Sequence, residues 1–258
     1  MTKKQIYYSR TYRKLRADRR QSLILFLVVV IPSLTAMILF MPEITQAFCR
    51  VAARVLGRAG VITVRRSVYN KLFRDIYYLA SVAGLPSARM CLCNVGVCLA
   101  VMVLCMALPT RNRPVSIYLI FNAGIHLISS LWFLFAGWDF PYEAPDFSQL
   151  YLIQEVGIWV VFLVMTTAVT SILGTLGLGY KLLTVAAVMA YSWVFGLVRY
   201  IVFLYLLRRY TMLYMTVMYF TFGPMFDFLY LVMIYGWFVN RMVKLYESAK
   251  GKEEWEWS

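Results

Sequence analysis

The side chain that most demands a chemical explanation is Arg199, set in an apolar run that begins after Lys181 and otherwise reads as membrane helix. An arginine at the centre of such a helix costs roughly 2.5 to 3.5 kcal/mol and should have a nameable partner. Three polar residues on neighbouring runs offer one: Glu155, Tyr219 and Asp227. Counted from the outer ends of their helices, Glu155, Tyr219 and Arg199 lie about 5, 6 and 8 residues in, so all three sit roughly 7 to 12 Å below the surface at 1.5 Å per residue. They can meet. Asp227 is deeper, near the midplane, within reach of a guanidinium on its long stem. Pro224 follows Gly223, and a proline there breaks the helix and frees backbone carbonyls beside the site. An arginine facing carboxylates in a bundle interior can hold a structure together or bind an anionic group.

Thiol and metal chemistry are less well provided for. The five cysteines (Cys49, Cys91, Cys93, Cys98, Cys105) match neither zinc nor redox CxxC spacings, and His126 is the single histidine, so no metal or cofactor is expected. Cys98 and His126 share a depth of about 15 Å from one membrane face, which would suit a thiolate and its base. Buried free cysteines more often behave as small apolar side chains, and a lone membrane histidine more often bridges helices.

The elements that must position these residues are read from apolarity. The chain is 62% apolar and 17% aromatic over 258 residues, with several apolar runs of the roughly 20 residues that one bilayer crossing requires. Most are apolar on every side, which excludes a soluble helical domain. The expected fold is all-α, a polytopic membrane protein with about six transmembrane helices and an interfacial amphipathic helix. The formal charge of +14 reports orientation and contact with membrane lipid rather than nucleic acid, because the basic residues cluster at the ends of spans.

In chain order, residues 1–22 carry eight Lys/Arg against Asp18 alone, placing this end in the cytoplasm. A first span covers 23–42. Residues 43–89 form an outer segment that breaks the positive-inside rule with eight basic residues and two acids. Arg50, Arg54 and Arg58 repeat every four residues opposite Phe48, Val51, Val55 and Ile62, the pattern of an amphipathic helix in the interface. A second, weaker helix of this kind is expected around Val68 to Leu79, and Arg65 and Arg66 complete the basic face. Residues 90–149 hold a helical hairpin, turned at Pro109-Thr-Arg-Asn-Arg-Pro114, and an acidic outer loop. Residues 150–240 hold three more spans, Leu150 to Gly174, Leu182 to Leu207 and Leu213 to Asn240. The tail 241–258 returns to the cytoplasm, and the whole is expected in the plasma membrane.

The last three spans, with the first helix and its outer segment more loosely, resemble the exosortase and archaeosortase family, integral membrane thiol transpeptidases, in the variant found beside Gram-positive polysaccharide genes. Gly196-Leu-Val-Arg199 stands where that family carries N-x-x-R. Tyr219 precedes Phe222-Gly223 where the family has a histidine before Phe-Gly, and Gln154-Glu155-Val156-Gly157 stands where its cysteine motif opens the preceding helix. The nucleophilic cysteine, the histidine and the motif asparagine are all replaced, and a thiol enzyme needs a thiolate and a group to activate it. The resemblance thus implies a sortase-like shell without sortase chemistry: a non-catalytic subunit beside a membrane glycosyltransferase, with polysaccharide as a further contact. The alternatives are a membrane enzyme, either a thiol transpeptidase using Cys91, Cys93 or Cys98 with His126 and Arg199, or a site of Tyr219 with Glu155 or Asp227 as acid and base, similar to that of six-span acyl-CoA dehydratases, and an anion transporter subunit led by Arg199.

Overall fold

The computed structural model describes residues 13–15, 19–57, 63–67, 75–107, 113–172, 177–247 and 255–257. Within them the chain is almost wholly helical, and five helices are long and apolar enough to cross a membrane. These are α1 (Arg19–Leu39), α3 (Ala88–Ala107), α4 (Arg113–Ala136), α5 (Ala144–Ile172) and α6 (Leu178–Arg209). The protein is a polytopic helical membrane protein. Only 6% of the apolar window of α1 is buried by protein against 44% for α5 and for α6, so α1 leaves the larger share of its surface to lipid.

The sixth span expected over Leu213 to Asn240 is interrupted. A 3-10 turn (Met212–Tyr214) leads into the six-residue α7 (Met215–Phe220), the chain bends, and α8 (Pro224–Glu247) starts afresh. Proline supplies the reason: it donates no backbone N–H and its ring clashes with the carbonyl four residues earlier, whereas at the first position of a new helix its fixed φ is favourable.

α2 (Met41–Leu56) is the expected amphipathic helix. Its buried positions, Met41, Thr45, Phe48, Cys49 and Ala52, follow helical spacing, and Arg50 and Arg54 are exposed on the other side. The apolar face packs on protein, with Phe48 fully buried, while Val55, expected on that face, is exposed. Gly57 ends the helix at φ +68°, a conformation that L side chains rarely adopt. Arg58 and Ile62 lie outside the described residues.

Past α2 the expectation of a second amphipathic helix around Val68 to Leu79 is corrected over its described end, residues 68–74 lying outside the described residues. Ile76–Ala80 is a strand, β3, paired antiparallel with β2 (Thr63–Ser67) in the register Thr63↔Ala80 to Ser67↔Ile76. The run Ile-Tyr-Tyr-Leu is rich in β-forming residues, and its backbone finds partners outside the ladder. The Tyr77 N–H donates to Thr45 Oγ1 at 3.2 Å, and the Leu79 N–H to Tyr200 Oη at 3.0 Å. Those bonds favour the extended form over a helix. Of Arg65 and Arg66 the structure describes the backbone alone, in β2.

The chain divides into two compact units. One gathers residues 1–35, 160–191 and 230–258. In it Tyr230 packs against Phe162 and Tyr191, with ring centroids 5.8 and 4.8 Å away, and β1 (Arg13–Leu15) pairs antiparallel with β4 (Trp255–Trp257). The other gathers residues 36–159 and 192–229 and holds every residue of the arginine site.

Candidate functional site: a buried arginine between two carboxylates

Arg199 is 6% exposed, and every nitrogen of its guanidinium has a partner. Nη2 donates to Glu155 Oε2 at 2.6 Å and Nε to Tyr151 Oη at 2.7 Å. Nη1 donates to the carbonyls of Gly223 and Phe222 at 2.7 and 3.2 Å, and forms an ion pair with Asp227 Oδ2 at 2.9 Å. The ring of Tyr151 lies 5.4 Å from the guanidinium carbon and that of Phe195 5.6 Å, adding cation–π attraction. A charge taken out of water is tolerated only when paired and hydrogen-bonded in this way.

Each partner is delivered by a local feature of the sequence. Tyr151, Glu155 and Trp159 recur every four residues and form one stripe of α5. Trp159 Nε1 donates to Glu155 Oε1 at 3.1 Å, so both carboxylate oxygens are held. Gly196 lies one turn before Arg199 on α6. A Cβ there would overlap the Glu155 carboxylate, and the Gly196 carbonyl accepts the Tyr151 hydroxyl at 3.0 Å. The break before α8 exposes the carbonyls of Phe222 and Gly223, the backbone groups expected to be freed by Pro224. Asp227 sits in the first turn of α8, where a negative charge is favoured by the helix dipole.

A second layer holds the first. Tyr151 stacks on Tyr200 with centroids 5.2 Å apart, and the buried Tyr200 hydroxyl shares a 2.6 Å hydrogen bond with Ser148 while accepting the Leu79 N–H. Phe48 of α2 closes over this layer, its ring 5.5 to 5.9 Å from those of Tyr200, Trp159 and Trp193. The amphipathic segment is thereby bolted to the helices that carry the site.

Of the residues singled out in the sequence, Arg199, Glu155 and Asp227 are brought into contact. Tyr219 stands one ring away: it meets Phe147 edge-on at 6.4 Å, and Phe147 lies 6.4 Å from Tyr151. Its backbone oxygen packs so tightly on Gly223 that a Cβ there would overlap it. Tyr151, Trp159 and Gly196 complete the site. The first two were hidden among many aromatic residues, and their signal is the four-residue stripe centred on Glu155.

Of the thiols, Cys49 lies beside Tyr200 of the second layer. Cys49 Sγ donates to the Tyr77 carbonyl at 3.3 Å, and burial pushes its thiol up to about 12. Cys91, Cys98 and Cys105 recur every seven residues on the buried face of α3, and Cys93 is exposed. The His126 ring meets Tyr214 edge-on at 5.3 Å, and its buried Nδ1 has no hydrogen-bond partner among the described residues. No group of three metal-ligating side chains occurs among the described residues. Compared with protein-family models, curated proteins and solved structures, the chain finds no match.

Proposed function

We propose that this chain is a non-catalytic, exosortase-like subunit of the plasma membrane that assists a membrane glycosyltransferase in making or exporting a polysaccharide. The observation that carries the non-catalytic reading is the occupancy of Arg199. Its nitrogens are directed at Glu155, Asp227, a phenol and two carbonyls of its own chain, which favours a clamp joining α5, α6 and the α7–α8 break over a receptor for substrate. In place of a thiol, a carboxylate faces the arginine.

The likeness to exosortases is supported by convergence. The three stretches that carry it, Gln154-Glu155, Gly196 to Arg199 and Tyr219 to Gly223, are far apart in sequence and meet at one site, where the Gln154 amide lies beside Gly223. The polysaccharide and the glycosyltransferase rest on the resemblance alone. Cytoplasmic placement of both termini is supported by the charge of residues 1–22 and by the pairing of β1 with β4, which requires the two ends to share one side.

The test is gentle purification from the native membrane with identification of what accompanies the chain. Recovery of a processive glycosyltransferase in stoichiometric amount is expected, with polymer output lost on deletion and kept in a variant lacking all five cysteines. Purification alone, with processing abolished by replacing a single cysteine or Tyr219, would sink the subunit reading in favour of an enzyme.

A further inference from the structure

Two cavities adjoin where α4 gives way to α5, and their linings differ in kind. One, of about 540 Å³, is a cleft along α4 and α7 walled by Phe121, Ile125, Ile128, Trp132 and Phe220. Two of its three hydroxyl side chains are engaged with protein: Ser129 Oγ lies 3.3 Å from the Leu213 carbonyl, to which it donates, and 3.4 Å from Thr216 Oγ1, the third being that of Tyr142. The cleft therefore offers a ligand hydrocarbon contacts. Phe121, Ile128, Trp132 and Phe220 are also exposed, so it opens along the lipid-facing side of an apolar helix.

The other cavity, of about 550 Å³, lies beyond the end of α4, between the stretch that follows β3 and the start of α5. It is lined by Ser81, Glu143 and Met212 among others, and it shares Phe140 and Tyr142 with the cleft. Both volumes fall within the roughly 300 to 1,000 Å³ of small-molecule pockets. The two shared rings stand edge to face, centroids 5.8 Å apart, and Phe133 braces Phe140 from behind at 4.7 Å. Among the described residues no lysine or arginine lines this chamber. Glu143 uses its backbone N–H to bond Asp146 Oδ2 at 2.7 Å, and its exposed carboxylate has no ion-pair partner among the described residues. A carboxylate beside two aromatic walls, with no competing cation, attracts an ammonium group.

The geometry points to a single amphipathic lipid at this place: its acyl chain fills the cleft on α4 and α7, and its ammonium headgroup sits between Phe140, Tyr142 and Glu143. An anionic headgroup finds no counter-charge in the chamber among the described residues. The site stands on these cavities alone and is independent of the glycosyltransferase reading.

The full-length protein, delipidated in detergent, would be titrated by native mass spectrometry with three lipids of matched acyl chains: phosphatidylethanolamine, phosphatidylglycerol and monoglucosyldiacylglycerol. The first two share a phosphate and differ in the amine. Phosphatidylethanolamine is expected to bind about tenfold tighter than the others, with the preference lost in Glu143→Gln and kept in Glu143→Asp. Ile125→Trp, which fills the cleft, should weaken all three lipids. Thermal unfolding of each variant checks that it is folded. Equal binding of the three lipids, a preference for the glycolipid, or an ethanolamine preference that survives Glu143→Gln would each overturn the assignment.

Discussion

Replacing Arg199 by methionine removes the cation and leaves Glu155 and Asp227 buried, 1% and 0% exposed, in a space arranged for a positive charge between them. The two ion pairs, at 2.6 and 2.9 Å, and the hydrogen bonds to Tyr151, Phe222 and Gly223 are lost together. Breaking a buried pair by deleting one partner costs about 3 to 5 kcal/mol, chiefly because the survivor is left uncompensated. At roughly 2 to 4 °C per kcal/mol for a chain of this size, the apparent Tm should fall by about 6 to 20 °C. The triple variant Arg199→Met, Glu155→Gln, Asp227→Asn removes the stranded charges as well, and should recover most of the loss, because neutral groups of similar volume are often tolerated where an ion pair was. The assay is thermal unfolding in detergent followed by tryptophan fluorescence, with the single, double and triple variants arranged as a cycle. The reasoning is refuted if Arg199→Met unfolds within about 2 °C of wild type, or if the triple variant is less stable than Arg199→Met alone.

Further outcomes follow from the same geometry. Tyr151→Phe should cost about 1 to 3 kcal/mol, since it leaves the Arg199 Nε–H and the Gly196 carbonyl without their partner; chemical denaturation of the variant beside wild type reads the loss. Gly196→Ala pushes a methyl into the Glu155 carboxylate and should destabilise by about 1 to 3 kcal/mol in the same assay. The Cys49 thiol, held up to about 12 against 9.0 for the free group, stays protonated when the unfolded chain has ionised. Its contribution is full below pH 9.0 and is lost as pH rises toward about 12, so Cys49→Ala should flatten that part of the alkaline stability curve relative to wild type. In the folded protein Cys49 should also resist maleimide near neutral pH and become reactive in denaturant, which peptide mapping would read.

The helical membrane architecture was legible because a bilayer demands long apolar runs, a signal that needs no tertiary information. Arg199 and Pro224 were legible for a related reason: a charge and a helix breaker stand out against such a background, and both lead to the site. Tyr151 did not stand out, since one tyrosine among nineteen carries no mark of its own until its four-residue spacing to Glu155 is set opposite Gly196. The β2–β3 hairpin was hidden differently. Ile76–Ala80 is only five residues long, and its extended form is favoured by acceptors on remote elements, Thr45 and Tyr200, that no local periodicity reports. Phe48 was placed on the correct face of its helix, but the three aromatic rings that receive it come from α5 and α6.

The tight fit of Gly196 against Glu155 also bears on how this sequence can drift. A larger residue at 196 is excluded while the carboxylate occupies that space, and shortening the side chain at 155 opens a void and strands the arginine. Each position vetoes change at the other. A lineage could exchange the acid for a smaller nucleophile, or the glycine for a hydrogen-bonding amide, only through paired substitutions or an unstable intermediate. The interlock works as a ratchet: once the glycine and the glutamate are both in place, single mutations lead downhill in stability, and the arrangement preserves itself whether or not any chemistry is selected there.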